Sequence, residues 1–207
     1  MDLRQKYSRD LIIRDKTNVE GGFVDNPDDL GGVTNHGITQ RVAMMHQKVL
    51  TKRFGWDGLM KNLTEEMAFY IYVVDYWDKM YLNDIWAIHP LLADKMFDFG
   101  INAGVNRSTE LLQRFLTLNN DKGRLYDDLL VDGWIGPVTL RALKSYLRVR
   151  TGKEGVFNLL FGFLCQQGDY YLDISEAREK NETFTYGWVR RAAEDAIEYV
   201  YALDMAE

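Results

Sequence analysis

Residues 20–39 constrain the fold of this chain more than any other stretch. They hold one glutamate, three aspartates, two threonines and five glycines. A core does not select this mixture, because a carboxylate buried without a partner loses its hydration at high cost. Paired glycines also end helices and permit tight turns. The stretch therefore predicts a loop that holds polar groups in fixed places, with a small hairpin as its only strand-like part.

The segment before this loop has the period of an amphipathic helix. Leu3, Tyr7, Leu11 and Ile12 recur at steps of three and four residues, which predicts a helix over roughly residues 2–19. The glycines that follow end it, so Glu20 is expected on its last turn. A carboxyl near the negative end of the helix dipole tends to keep its proton, as a general acid must. The alternative is a solvated glutamate at a helix end.

Asp25, Asp28 and Asp29 follow within a turn region punctuated by glycine, asparagine and proline. If the turn brings one of them towards Glu20, the two carboxyls in unlike environments form the acid and base pair that glycosidic cleavage requires. Thr34 is then placed to position a water or to orient Asp29. The alternative for the aspartates is turn chemistry, in which Asp binds its own backbone, and we assign that role to Asp25 and Asp28.

The run E-G-G-F-V-D-N-P-D-D-L-G-G-V-T-N-H-G-I-T resembles the signature of the glycoside hydrolase family 108 muramidases, which are endolysin-type lysozymes of phages and bacteria. That signature is written around E-G-G-Y, D-x-G-G-x-T and G-I-T. Glu20 matches its catalytic glutamate, and Asp29 and Thr34 match its aspartate and threonine. Phe23 replaces the commoner tyrosine, and Leu30 stands where proline is frequent. Neither departure alters a carboxylate.

Three later stretches extend the resemblance to the peptidoglycan-binding region that follows the catalytic segment in this family. They are F-D-F-G-I-N-A-G at residues 97–104, D-G-W-I-G-P-V-T at 132–139 and Y-G-W-V-R-R at 186–191. The resemblance implies a catalytic segment over residues 1–95 and a helical peptidoglycan-binding region over 96–207. Since no Gly/Ser-rich or Pro-rich linker separates them, we expect the two to pack into one compact body.

The remaining segments predict helices, so the expected fold is mainly α, a lysozyme-like helical fold with a small hairpin or loop beside the site. Thr39, Thr64 and Ser108 are expected N-caps, and Pro90 and Pro137 are expected first-turn residues. The helix after Thr64 is expected to run on to Tyr81. The last two helices are marked by two apolar series, Phe157, Leu160, Phe161, Leu164 and Tyr171, then Trp188, Ala192, Ala196, Val200 and Leu203.

Several aromatic residues with polar edges are candidates for lining a glycan cleft, because such rings pack on the C–H faces of sugars while their O–H or N–H groups bond outward. They are Tyr72, Tyr76, Trp77 and Tyr81. For each, core packing is the alternative. Tyr76 and Trp77 match a Tyr-Trp pair of the family that is structural as readily as functional, and we predict them as substrate-binding residues. Asn102 either bonds the substrate's acetamido group or caps its helix.

Composition limits the partners. The net charge of -6 argues against a nucleic acid held by its phosphates. The first residues lack the apolar core of a signal peptide, and no apolar run is long enough to span a membrane. We therefore expect synthesis in the cytoplasm, action on the cell wall in the periplasm or outside, and, as the resemblance implies, release through a membrane pore made by a holin-like partner. We expect a monomer without a cofactor.

The leading prediction is an N-acetylmuramidase that cleaves the β-1,4 bond between N-acetylmuramic acid and N-acetylglucosamine. Glu20 is the general acid and Asp29 the base or stabiliser. A lytic transglycosylase and a non-catalytic wall-binding or assembly protein remain alternatives. A zinc amidase is disfavoured, because His36, His46, His89 and Cys165 show no helical metal pair. We expect Cys165, the one cysteine, to be a small buried apolar residue.

Overall fold

The computed structural model describes residues 2–19, 22–24 and 32–206, with the backbone alone described for Asn18 and Val19. Within these residues the chain is mainly α-helical, and its strands form one two-stranded antiparallel hairpin. The prediction of a mainly α fold with a small hairpin is therefore confirmed. The helices and strands are α1 (Leu3–Lys6), α2 (Arg9–Val19), β1 (Thr34–Asn35), β2 (Ile38–Thr39), α3 (Gln40–Met45), α4 (Gln47–Phe54), α5 (Glu65–Tyr72), α6 (Leu82–Ile88), α7 (Pro90–Ala103), α8 (Val105–Leu118), α9 (Pro137–Val149), α10 (Gly152–Glu176) and α11 (Glu182–Asp204). Two 3₁₀ turns, Met60–Asn62 and Glu179–Asn181, and one π-helical segment, Val73–Trp77, complete the regular structure.

The chain divides into two compact units. The smaller unit, Tyr7–Lys79, contains α2, the hairpin, α3, α4, α5 and the π-helical segment. Within it α2 packs against α5, and the buried side chains form a core of its own. The largest of these are Ile13, Leu50, Trp56, Leu63, Ile71, Tyr72 and Trp77.

The larger unit combines Met1–Lys6 with Met80–Glu207. In it α7 packs against α6 and α8, and α10 packs along α11. The central helix is α7, which buries nearly all of its residues from Pro90 to Gly100. The core of the larger unit therefore lies between α7 and the helices packed around that helix.

Four helix starts that the sequence predicted are found in the structure, two with a threonine cap and two with a proline in the first turn. Thr39 Oγ1 accepts a hydrogen bond from Val42 N at 3.4 Å, and Thr64 Oγ1 accepts one from Met67 N at 3.4 Å. Pro90 and Pro137 open α7 and α9. These residues act through neighbours within one turn, so the sequence carries the whole signal.

Several predictions of helix extent are wrong. The helix predicted over residues 2–19 is broken at Tyr7–Ser8 into α1 and α2. Ser8 precedes α2, where serine is a favoured cap residue. Ser108 does not cap a helix, because Gly104 ends α7 and α8 begins at the next residue. Ser108 is instead fully buried, and its Oγ donates to Met96 O at 2.8 Å.

The helix after Thr64 and the environment of Cys165 also differ from expectation. That helix ends at Tyr72 and continues as the π-helical segment, and Tyr81 has left-handed backbone angles rather than helical ones. Cys165 is exposed on α10, so its predicted burial is wrong. An apolar run along a sequence does not reveal which face of a fully helical segment is turned outward.

Candidate active site

The two predicted carboxyl groups, Glu20 and Asp29, lie outside the described residues. The described residues on either side of them are the end of α2, the short stretch 22–24 and the chain from Gly32 onward. These neighbouring residues form a connected frame that includes Thr34, the third predicted catalytic residue. The frame is the described part of the fold that lies next in sequence to Glu20 and Asp29.

Thr34 lies in the centre of a small sheet-like arrangement. On one side it pairs with Thr39 across the hairpin. On the other side it forms a bridge to Val24, in which each backbone N–H donates to the other residue's carbonyl oxygen at 2.9 Å. The Thr34 side chain is half-buried. The predicted hairpin is therefore present, and Thr34 pairs with the backbone of Thr39 on one side and of Val24 on the other.

The hairpin turn has a conformation that its sequence explains. His36 and Gly37 have φ angles of 50° and 72°. Two central residues with positive φ define a type I′ turn, which matches the twist of the flanking strands. Gly37 adopts such angles without strain, whereas His36 must be held in them by its surroundings.

Asn35, next to the turn, ties the hairpin to the rest of the smaller unit. The residue is buried, and its Nδ2 donates to Met60 O at 2.8 Å and to Leu63 O at 3.1 Å. One amide thus satisfies two buried carbonyl groups around the 3₁₀ turn. The hairpin is fixed in position by side-chain bonding as well as by its own ladder.

His36 connects the hairpin to the end of α2. Its Nδ1 donates to Thr17 O at 3.3 Å, and its own carbonyl accepts a hydrogen bond from Tyr72 Oη at 3.2 Å. Thr17 lies in the last described turn of α2, three residues before Glu20 in the sequence. The ring of His36 therefore ties the hairpin turn to that turn of the helix.

Ion pairs hold α2 against the start of α5. Arg14 donates to Glu65 Oε1 and Glu66 Oε1, both at 2.8 Å, and its guanidinium lies 5.1 Å from the centre of the Phe69 ring. Thr17 Oγ1 lies 3.4 Å from Glu65 Oε1. A planar guanidinium shared by two carboxylates and an aromatic face fixes the rotation of α2 as well as its position.

The π-helical segment carries the predicted substrate-binding pair. Tyr76 is half-buried, and its ring contacts that of Tyr72 with 5.8 Å between centres. Burial, with the charge of Asp75, raises the pKa of Tyr76, so its hydroxyl stays protonated and can donate. Trp77 is 0% exposed and packs in the core. Of the two, only Tyr76 has surface with which to meet a ligand.

Asp75 on the same segment is a carboxylate that the sequence did not single out. It accepts from His46 Nε2 at 2.7 Å and from Lys79 Nζ at 2.8 Å. Burial alone would raise the pKa of Asp75, but the hydrogen bonds from Lys79 and His46 outweigh it and the pKa is lowered. The spacing of Asp75 and Lys79 by four residues is a helical ion-pair signal, while the partnership with His46 depends on the fold.

Thr34 and Tyr76 are connected within the smaller unit through His36 and Tyr72. Asn102 belongs to the larger unit, on the last turn of α7. It is exposed, and its Nδ2 donates to Asp98 O at 2.9 Å. That bond runs back four residues to a carbonyl inside α7, before the helix-end carbonyls that follow Gly100, so it does not cap the helix. Binding of the acetamido group by Asn102 stays a prediction.

The described part of the chain offers no group of three or more His, Cys, Asp or Glu side chains arranged to hold a metal ion. None of its helices combines the length and the apolar character that a membrane span needs.

Comparison with known proteins agrees with these observations. Residues 14–104 match the family described as Glycosyl hydrolase 108, and residues 107–193 match the family described as Predicted Peptidoglycan domain. No curated protein matches the chain. A solved structure titled "Structure of Brucella abortus SagA" is similar in fold, with 24% sequence identity, a TM-score of 0.61, and coverage of 96% of this chain and 95% of that one.

The two family matches together cover the loop, the helices that frame it and most of the larger unit. They support a glycoside hydrolase that acts on peptidoglycan. Residues 14–104 therefore form a region that matches the glycosyl hydrolase 108 family, and residues 107–193 form a region that matches a peptidoglycan domain.

Proposed function

We propose that the protein is an N-acetylmuramidase that hydrolyses the β-1,4 bond between N-acetylmuramic acid and N-acetylglucosamine. The observation that carries this proposal is the Glycosyl hydrolase 108 match, because it spans Glu20, Asp29 and Thr34 together. The described frame supports it further. Backbone bonds from Thr34 and the His36 bond to Thr17 hold the residues that border this segment of the chain.

In the proposed reaction Glu20 donates its proton to the glycosidic oxygen as that oxygen leaves. Asp29 either activates the attacking water or stabilises the positive charge that develops on the sugar ring. Thr34 has a hydroxyl that both donates and accepts, so it can hold the water or orient Asp29. A carboxyl separation of about 5 Å would give retention of the anomeric configuration, and about 6.5–9.5 Å would give inversion.

The matched regions also suggest how the substrate is held. We propose a catalytic segment within residues 1–95 and a peptidoglycan-binding region within residues 96–207, in a monomer whose partner is the glycan strand of the wall. Peptidoglycan lies beyond the cytoplasmic membrane, so the enzyme would reach it with the help of a pore-forming, holin-like partner. The negative net charge means that local groups, not overall attraction, capture this substrate.

The experiment that tests the catalytic assignment is turnover of purified peptidoglycan by three variants. Glu20→Gln keeps the shape of the side chain and removes the proton donor, and we expect at least a hundredfold loss of rate. Asp29→Asn should also lose at least tenfold, while Asp28→Asn, the matched control one residue away, should stay near wild type. Full activity of Glu20→Gln would contradict the proposal and favour a non-catalytic wall-binding protein.

A further inference from the structure

Two aromatic side chains lie together on the surface of the larger unit. Tyr81 is 40% exposed and Trp134 is 59% exposed, and their ring centres are 5.5 Å apart at an interplanar angle of 65°. Two exposed aromatic rings in contact offer a larger apolar area than single rings, and covering that area with a ligand gains the free energy of burial. Tyr81 lies in the hydrolase match and Trp134 in the peptidoglycan-domain match, so each matched region supplies one ring.

Tyr81 is held in its exposed position at a cost. Its backbone is left-handed, with φ 51° and ψ 39°, which is rare for a bulky residue. Both neighbours, Met80 and Leu82, are buried. Gly100 makes room for Met80, because a Cβ atom there would lie 2.6 Å from Met80 Cε. The core thus anchors the chain on both sides and directs the tyrosine outward.

Trp134 is presented by a turn that one glutamine holds. Gln113 Nε2 donates to Asp132 Oδ1 at 2.8 Å and to Trp134 O at 2.9 Å, and Gln113 Oε1 accepts from the backbone N–H groups of Asp132 and Gly133. Gly133 has φ 73° and passes so close to Asn106 that a Cβ atom would meet it at 3.1 Å. The D-G-W-I-G-P sequence therefore builds a rigid support for one exposed indole.

The surface beside the indole has the character of a sugar site. Trp134 borders a groove of about 270 Å³ whose other walls include Leu130, Val138, Asp132 and Thr139. Within the described residues, no group accepts a hydrogen bond from the Trp134 indole N–H or from the Tyr81 hydroxyl. Rings with apolar faces and open polar edges, next to a few hydroxyl and carboxylate groups, match the mixed C–H and O–H surface of a pyranose.

We propose that Tyr81 and Trp134 form an aromatic platform on which a sugar unit of the peptidoglycan glycan strand stacks. This inference rests on the proposed function for the identity of the ligand, since it deepens the binding role of the larger unit. The platform binds the carbohydrate rather than the stem peptides, because the two rings offer stacking surface and no cationic group for peptide carboxylates. It also makes substrate binding depend on residues of both matched regions.

The test compares binding by four variants. Tyr81→Asn removes the ring while asparagine tolerates the left-handed backbone, and Trp134→Ala removes the indole. The matched control is Tyr186→Ala, which removes a tyrosine that is 77% exposed on α11 of the same unit. The probe is a preparation of glycan strands freed of stem peptides by an amidase, titrated in the cold by isothermal calorimetry in the Glu20→Gln background.

We expect the two platform variants, Tyr81→Asn and Trp134→Ala, each to bind the strands about tenfold more weakly than the parent. Trp134→Phe should retain most of the affinity, because it keeps an aromatic ring, and Tyr186→Ala should leave the affinity unchanged. Unchanged binding by both platform variants would overturn the proposal. So would equal competition by free stem peptides, or a dimer in sedimentation that Trp134→Ala dissociates. If Glu20→Gln hydrolyses peptidoglycan like wild type, the proposed chemistry fails, while the binding comparison still decides the platform.

Discussion

His36 Nδ1 and the carbonyl oxygen of Thr17 lie 3.3 Å apart, in a hydrogen bond that joins the hairpin turn to the last turn of α2. The same histidine accepts from Tyr72 through its carbonyl oxygen. One residue in a left-handed conformation thus links the hairpin, α2 and α5. We assign His36 a positioning role, in which it sets the geometry of neighbouring residues rather than touching the substrate.

Replacing His36 by asparagine tests this role. Asparagine accepts the left-handed backbone but is too short to reach Thr17, so about 1 kcal/mol of stability is lost with the hydrogen bond. We expect kcat on peptidoglycan to fall at least tenfold with little change in KM, because small displacements of reacting groups cost rate rather than affinity. The control is Lys122→Asn, which also replaces a left-handed residue. A kcat near wild type for His36→Asn would remove the positioning role.

Two glycines of α10 should respond in opposite ways to alanine. At Gly155 a Cβ atom would lie 1.8 Å from the carbonyl oxygen of Arg150, and backbone cannot move aside cheaply. We expect Gly155→Ala to lower the free energy of unfolding by about 3 kcal/mol. At Gly168 nothing lies within 4 Å, so Gly168→Ala should raise it by about 0.5–1 kcal/mol. Denaturant unfolding of both variants checks the difference, and equal effects would contradict it.

A buried charge cluster joins α7 to α11. Lys95, with 0% of its side chain exposed, donates to Asp98 and Asp195, and Arg191 donates to Asp98. Burial alone would lower the pKa of Lys95, but the charges of Asp98 and Asp195 outweigh it and the pKa is raised. The lysine therefore stays charged.

Removing the charge of Lys95 leaves Asp195 without this partner. We expect Lys95→Met to destabilise the protein by about 3–5 kcal/mol, as is usual when one partner of a buried pair is lost. Lys153→Met is the control, because Lys153 pairs with Asp204 at 3.3 Å on the surface and should contribute less than about 1 kcal/mol. Equal unfolding free energies for the two variants would show that the buried cluster is not stabilising.

His89 should make stability depend on pH. Burial, with the nearby charge of Arg4, lowers the pKa of His89 from 6.5 to about 4. The unfolded chain therefore takes up a proton at a higher pH than the folded chain. The contribution of His89 to the free energy of unfolding is therefore complete above about pH 6.5. It falls by roughly 3 kcal/mol as the pH drops to about 4, and it does not change further at lower pH.

The His89→Gln variant isolates this contribution. The difference in unfolding free energy between wild type and variant, measured from pH 8 to pH 3.5 by denaturant titration, should shrink by roughly 3 kcal/mol between about pH 6.5 and about pH 4. A difference that does not change with pH would mean that the ring of His89 is solvated in the folded protein.

Local features of the fold were predictable from the sequence, and non-local ones were not. The caps Thr39 and Thr64 and the prolines that open α7 and α9 act within one turn, so their signal lies in adjacent residues. The π-helical segment and the left-handed Tyr81 depend on tertiary packing that overrides helical period.

The same distinction holds for the candidate site. The sequence marked the loop, the hairpin and Thr34, but it did not mark Asn35, which bonds carbonyl groups 25 and 28 residues further along the chain. The sequence also could not distinguish Tyr76, which keeps exposed surface, from Trp77, which is buried. Both are aromatic residues with a polar group, and their adjacent positions do not show which one faces the core. Tyr81 was a candidate from the sequence. Trp134 was not, because it lies in the D-G-W-I-G-P-V-T motif, which gave no sign that the indole is exposed beside Tyr81.

The most direct measurement of the central claim is mass spectrometry of the sugar ends released from purified peptidoglycan by wild type and by Glu20→Gln. We predict reducing N-acetylmuramic acid ends from the wild type and almost none from the variant. Anhydro-muramic ends would instead identify a lytic transglycosylase, and reducing N-acetylglucosamine ends would identify cleavage of the other glycosidic bond. Reducing muramic ends in equal yield from both proteins would contradict Glu20 as the general acid.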